Sequence, residues 1–207
     1  MTSPVIAPLC DYDARIVSLL GRIDTNDVNR VVDLLLRLDA DSSAPITVFI
    51  SCQGGDIVEG LKLLDTVQFL RSPLTAVGLG LVEGAGVLLL AAGSNRVLYP
   101  SVVISTAGVW DSPRLHDDGQ RPIGLSTSSD LQGELRRQIV TRIGELNISP
   151  GRKLPALLAH PTSPPQILDA ESAIRLGLAD AIINGANRFL SKPKHSHVKP
   201  TPKLSRL

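Results

Sequence analysis

Apolar positions along the chain alternate between two spacings. Compact aliphatic runs at residues 15–20, 46–50 and 74–79 predict strands, and the longer stretches between them predict helices. In the first of these stretches Val28, Val31, Val32, Leu35 and Leu36 follow an i, i+3, i+4 rhythm, while Asn29, Arg30, Asp33 and Arg37 take the other side. The turn before it, Gly21-Arg22-Ile23-Asp24, offers Asp24 or Thr25 as the N-cap, and the helix is expected to run to about residue 38. A polar turn over 39–45 leads into the β-branched run Ile46-Thr47-Val48-Phe49-Ile50, of the kind found in a parallel strand covered on both faces. Ser51-Cys52-Gln53-Gly54-Gly55 reads as a loop, followed by a helix over 56–70 with Asp56 and Glu59 at capping-box spacing. The pattern is strand, helix, strand, helix, strand, which predicts an α/β fold with a parallel sheet.

Residues 80–93 organise the rest. A strand over 74–79 feeds a glycine-rich turn, 80–86, and then the uniformly apolar run Val87-Leu88-Leu89-Leu90-Ala91-Ala92, which predicts a buried helix. Amide groups and the positive end of a helix dipole at such a turn suit an anion or a developing oxyanion. A hydrolase built on this turn would carry Ser or Cys there; the chain offers Glu83, Gly84 and Ala85. Further on, 110–120 reads as a polar loop, and 130–147 as a helix with the stripe Leu131, Leu135, Ile139, Ile143 and Leu146. Gly177 is a helix stop, 178–183 a last strand, and 192–207 is rich in Lys, Arg and Pro without an acidic residue, the composition of a disordered tail.

Composition narrows the function classes. The 207 residues suit one domain with a short N-terminal segment, 1–14, and a tail. A net charge of +1 gives no global reason to expect nucleic acid, and Glu83 with its neighbouring glycines argues against a membrane span through 74–92. Residues 1–9 lack the basic and apolar regions of a secretory signal, and Cys10 and Cys52 make no disulfide framework, so a reduced, cytoplasmic protein is expected. No metal or cofactor is implied. His116, His160, His195 and His197 read as ordinary surface histidines, Cys52 as a small buried residue, and Glu83 as one half of a structural ion pair.

Five pieces occur in order: Arg15-Ile16-Val17 with Ile23-Asp24; Ile50-Ser51-Cys52-Gln53-Gly54-Gly55; Asp65-Thr66-Val67-Gln68; Leu88-Leu89-Leu90-Ala91-Ala92-Gly93; and Ala170-Glu171-Ser172-Ala173 with Gly177-Leu178-Ala179-Asp180. In these the chain resembles the proteolytic subunit of the Clp protease, in the family that also includes inactive, ClpR-like relatives. The resemblance implies a ClpP/crotonase-type superhelix of repeated β-β-α units with a protruding handle helix. It spans a domain of residues 15–187, with an insertion at about 108–123, the handle at about 130–147, and the basic tail at 188–207.

Carried over position by position, the resemblance places the family's nucleophilic Ser on Gly84. Its His closes a strand, which the resemblance places here at 102–107, and falls on Ala107, or Thr106 if the gap moves by one; its Asp falls on Pro165. Triad chemistry needs a nucleophile, a base within hydrogen-bond reach and a group to orient the base, and none of these residues supplies one. Gly54, Gly55 and the amide of Ala85 remain as the scaffold of an oxyanion hole. The implied role is a non-catalytic subunit that joins catalytic Clp paralogues in a mixed heptameric ring, shapes the chamber for polypeptide substrates and docks an ATP-driven Clp unfoldase. Its place would be the cytoplasm, or the plastid stroma in a photosynthetic eukaryote. Two alternatives stand beside it: an active serine endopeptidase with a relocated nucleophile, and a crotonase-like acyl-CoA enzyme on the same fold, which Glu83 near the turn favours.

Overall fold

A computed structural model describes residues 10–107, 109, 128–146 and 165–183. The expected insertion at 108–123, the loop before the last helix and the basic tail lie almost wholly outside these residues. So do His116, His160, His195 and His197.

The first parallel unit begins with β1 (Cys10–Asp11), which pairs antiparallel with β2 (Ile16–Ile23). Helix α1 (Thr25–Asp41) crosses over to β3 (Ile46–Gly54), parallel to β2 along its whole length. Asp24 caps α1: its side chain accepts from the amides of Asn26 (2.8 Å) and Asp27 (3.0 Å), while Asp27 accepts from the amide of Asp24. This reciprocal capping box satisfies otherwise unpaired N–H groups of the first turn. The box expected at the next helix, α2 (Ile57–Phe69), is only half formed. Asp56 accepts from Val58 and Glu59, but the Glu59 carboxylate turns instead to the hydroxyl of Thr25 (2.9 Å) and to Lys62 (3.1 Å), tying the starts of α1 and α2 together.

The next unit sets the geometry of the centre. Strand β4 (Leu74–Glu83) runs parallel to β3, and the pairing jumps from Ile50↔Gly78 to Cys52↔Val82. Four steps on β4 against two on β3 make a bulge, with Gly80 in the left-handed region at φ 59° beside the Ser51 hydroxyl. The bulge redirects the strand. Its first half pairs with β5 (Asn95–Leu98), and its last three residues pair with β6 (Val103–Ser105). Between β4 and β5 the chain forms α3 (Ala85–Ala92), every residue of which is buried.

Helix α4 (Ser128–Leu146) packs on α2 and α3, with Ile139 and Ile143 buried and Leu135 partly so. Arg142 reaches Asp65 of α2 at 2.9 Å. The predicted stripe is therefore covered in part by this chain's own helices; the side chains of Leu131 and Leu146 lie outside the described residues. Strand β7 (Ile167–Asp169) pairs antiparallel with β6, α5 (Ala170–Arg175) follows, and β8 (Ala181–Ile182) closes the sheet beside β5. After α5 the amide of Gly177 (φ 79°) donates to Ile174 and that of Leu178 to Ala173, a Schellman ending that explains the predicted stop.

Several boundaries differ from the sequence pattern, most in one direction. Residues 21–23, 51–54 and 80–83, expected as turns or loops, continue β2, β3 and β4. The turn before α3 shrinks to Gly84, and α1 runs on to Asp41. The strands expected at 102–107 and 178–183 are shorter, confined to Val103–Ser105 and Ala181–Ile182. The helices pack against the sheet face formed by Val17, Leu19, Val48, Ile50, Ala76 and Val82, all buried. Among the described residues no helix is long and apolar enough to cross a membrane.

Candidate functional site

Strands β3 and β4 end side by side, and each hands the chain to a helix. At the end of β3, Gly54 and Gly55 both take positive φ (89° and 71°) before α2 begins. At the end of β4, Gly84 takes φ 61° and ψ −129° as the residue that caps α3, which has no side-chain cap of its own. This is a sharp strand-to-helix turn of the kind that displays a nucleophile in hydrolases, in a backbone conformation that glycine adopts without strain. Its occupant here is a hydrogen atom.

The surroundings of Gly84 are backbone. Its amide donates to the carbonyl of Ala107 at 3.3 Å, and its carbonyl accepts from Val87 at 3.1 Å. Ala85 is buried next to Gly55. The positions that sequence reasoning singled out thus converge: Gly54, Gly55, Gly84, Ala85 and Ala107 lie at one end of the sheet. Pro165 stands at the start of the β7 segment, one step beyond Gln166, whose amide and carbonyl both pair with Thr106 (2.8 and 3.0 Å). By continuation of the β6–β7 register, Pro165 comes opposite Ala107.

The strand expected over 102–107 ends earlier, at Ser105, which lies opposite Glu83 of β4. Ser105 accepts from the amide of Ala107 (3.3 Å), and the buried Thr106 uses its hydroxyl on Gln166. Both hydroxyls close the loop after β6. Sequence reasoning missed this role because the aliphatic run simply continues into them, and a Thr at a strand end carries no separate signal.

Glu83 occupies the last position of β4, half-buried, and the ion pair expected of it is not formed among the described residues. Cys52 lies beneath the turn, 1% exposed, with its sulfur 4.0 Å from the carbonyl of Glu83. Burial pushes its thiol up to about 12. A thiol so hard to ionise is a poor nucleophile. Alkylation of the native protein at pH 8 should therefore modify half-buried Cys10 and leave Cys52 intact until the chain unfolds; comparable rates at both sites would overturn that burial argument. No group of three or more His, Cys, Asp or Glu side chains that could hold a metal ion occurs among the described residues.

Chemically, the convergence point joins a sharp glycine turn to a buried helix N-terminus, with no hydroxyl, imidazole or carboxylate at Gly84, Ala107 or Pro165. Known proteins share this framework. The sequence model of the Clp protease family matches residues 9–105. The ATP-dependent Clp protease proteolytic subunit 3 of Synechococcus sp. strain CC9605 is 30% identical, over 84% of this chain and 84% of the relative. The corresponding protein of strain CC9902 is 31% identical over 82% of each. Among solved structures, ClpP1 from Listeria monocytogenes superposes with a TM-score of 0.63 at 25% identity, covering 86% of this chain and 95% of that one. A point mutant of the same Listeria protein gives 0.65 at 24% identity with the same coverage, a likeness of fold. With this fold and these relatives, the chain belongs to the Clp protease family.

Proposed function

We propose that this chain is a non-catalytic, ClpR-like subunit of an ATP-dependent Clp protease complex. The observation that carries the reading is Gly84: the strand-to-helix turn that would present a nucleophile is occupied by a glycine whose amide is bonded to Ala107. A base is missing as well. Ala107, Thr106 and Ser105, which closes β6, all lack an imidazole, and Pro165 lacks a carboxylate to orient one.

What the chain retains is the scaffold: the parallel sheet, the buried α3 and the α4 helix seated on α2. A scaffold without its triad serves assembly. The subunit takes a place beside catalytic paralogues in a mixed heptameric ring, contributes to the chamber wall that surrounds polypeptide substrates, and helps to dock a Clp-type unfoldase. Similarity to relatives named as proteolytic subunits supports membership of such a complex. The free thiols of Cys10 and Cys52 suit a reducing compartment, the cytoplasm or, in a photosynthetic eukaryote, the plastid stroma.

A serine-reactive fluorophosphonate probe, applied to the chain alone and to the chain coexpressed with a catalytic paralogue, tests the reading when read together with native mass. The expected result is no labelling of this chain and a mixed particle of ring size. Labelling of the unmodified chain would return the relocated-nucleophile reading, and separate particles only would remove the assembly role.

A further inference from the structure

Gly84 is hemmed in on the side where any side chain would project. A β-carbon built at residue 84 falls inside the contact distance of the Gly54 carbonyl oxygen, 3.0 Å from the Gly54 carbonyl carbon and 3.1 Å from the carbonyl oxygen of Gly55. All three atoms are backbone, so none can rotate away as the end of a side chain would. The corner they form is backed by further contacts. A β-carbon on Gly55 would lie 2.7 Å from the Ala85 methyl and 3.1 Å from Ile23, both of which are buried, and Gly54 pairs in register with Ile23 of β2. The corner therefore has little room to retreat.

We infer that Gly54, Gly55 and Gly84 form a steric seal: the β3–α2 corner fills the place that a nucleophile's side chain would need, so the site is shut by packed backbone as well as by lost side chains. The inference rests on reading Gly84 as the nucleophile's place, and it says how that place is closed. Two consequences follow from the geometry. A hydroxyl at residue 84 requires the corner to move before it can stand in the site. Outside residues 83–85, the atoms nearest a β-carbon there are carbonyl atoms of Gly54 and Gly55, so the corner meets an added side chain with acceptors and with no N–H donor among them. Serine at residue 84 alone thus leaves the site closed.

Gly21 supplies the control. Its φ of 83° is at least as positive as that of Gly84, but a β-carbon there meets nothing within 4 Å. Gly21→Ala therefore carries the cost of a left-handed backbone without a collision, and Gly84→Ala carries both. In thermal unfolding Gly84→Ala is expected to lower the midpoint at least twice as far as Gly21→Ala. By hydrogen-exchange mass spectrometry it should also speed exchange at residues 53–57 at least tenfold, a change absent from Gly21→Ala. Equal midpoint shifts with an unchanged corner would overturn the seal.

Should Gly84→Ala fail to fold while Gly21→Ala folds, a second pair decides. Gly55→Ala should destabilise the chain less in an Ala85→Gly background than in the unmodified chain, because the opposing methyl is gone; identical losses in both backgrounds would overturn the seal. The two readings fail separately. Fluorophosphonate labelling of the unmodified chain would remove the non-catalytic reading and leave the stability contrast standing, whereas equal shifts would remove the seal and leave that reading untouched.

Discussion

Asp180→Ala should destabilise the fold by roughly 3 kcal/mol, and Arg96→Met by about half as much, although both remove the same ion pair. Arg96 lies on β5 with its side chain 3% exposed; Asp180, just before β8, is 46% exposed. The guanidinium donates from Nε (3.0 Å) and Nη2 to the two carboxylate oxygens, and from Nη1 to the carbonyl of Gly177 (2.7 Å). The backbones are bonded as well, the Asp180 amide to the Arg96 carbonyl at 2.8 Å. Removing the carboxylate strands a buried cation that keeps little beyond one carbonyl, and desolvation of that charge is no longer offset. Removing the guanidinium leaves a half-exposed carboxylate that water can solvate, while Met refills much of the apolar volume. The asymmetry should appear in urea titrations as unequal midpoint shifts at constant slope. A larger loss for Arg96→Met would mean that the packing of the Arg stem, rather than stranded charge, dominates.

This pair also shows where sequence reading reaches its limit. The runs Ile46-Thr47-Val48-Phe49-Ile50 and Val87-Leu88-Leu89-Leu90 are legible because burial on all sides leaves an uninterrupted apolar signal, and both elements are found where that signal places them. The ends of β2, β3 and β4 are not legible. Gly21, Arg22 and Ile23 pair with Cys52, Gln53 and Gly54 through backbone groups alone, so glycines and polar residues that read as turns belong to the ladder. The same holds for the site. That Gly54-Gly55 and Gly84 should be neighbours follows from two parallel strands ending together, which the pattern of the chain supports. That the Gly54 carbonyl should lie against Gly84 depends on the bulge at Gly80 and on Ile23, and no local spacing encodes it. Arg96 and Asp180 are 84 residues apart, and only the β5–β8 pairing brings them together.

Acid should weaken the chain through a second long-range cluster, centred on Asp39. Its side chain, 7% exposed near the end of α1, accepts from the Ser72 hydroxyl (2.7 Å), the Ser72 amide (2.8 Å), and the Arg71 amide (3.0 Å) and guanidinium (3.2 Å). Arg15, held at φ 56°, donates to the same Ser72 hydroxyl and to the carbonyls of Leu38, Ser42 and Ala44. The entrances to β2, β3 and β4 are thereby tied to the end of α1. The Ser72 hydroxyl first, and with it the Ser72 amide and Arg71, hold the Asp39 carboxyl at about 2, below its ordinary 3.8, against the opposing effect of burial. A carboxylate whose pKa is lower in the folded state than in the unfolded chain contributes stability that is complete above its unfolded value, near pH 4, and is lost as the pH falls toward 2. Asp39→Asn presents an amide NH2 to a cluster of donors, so it should lower the urea midpoint clearly at pH 7. The gap between variant and parent should then narrow as both are taken from pH 4 to pH 2.5. A gap that stays constant over that interval would show that other carboxylates carry the acid response.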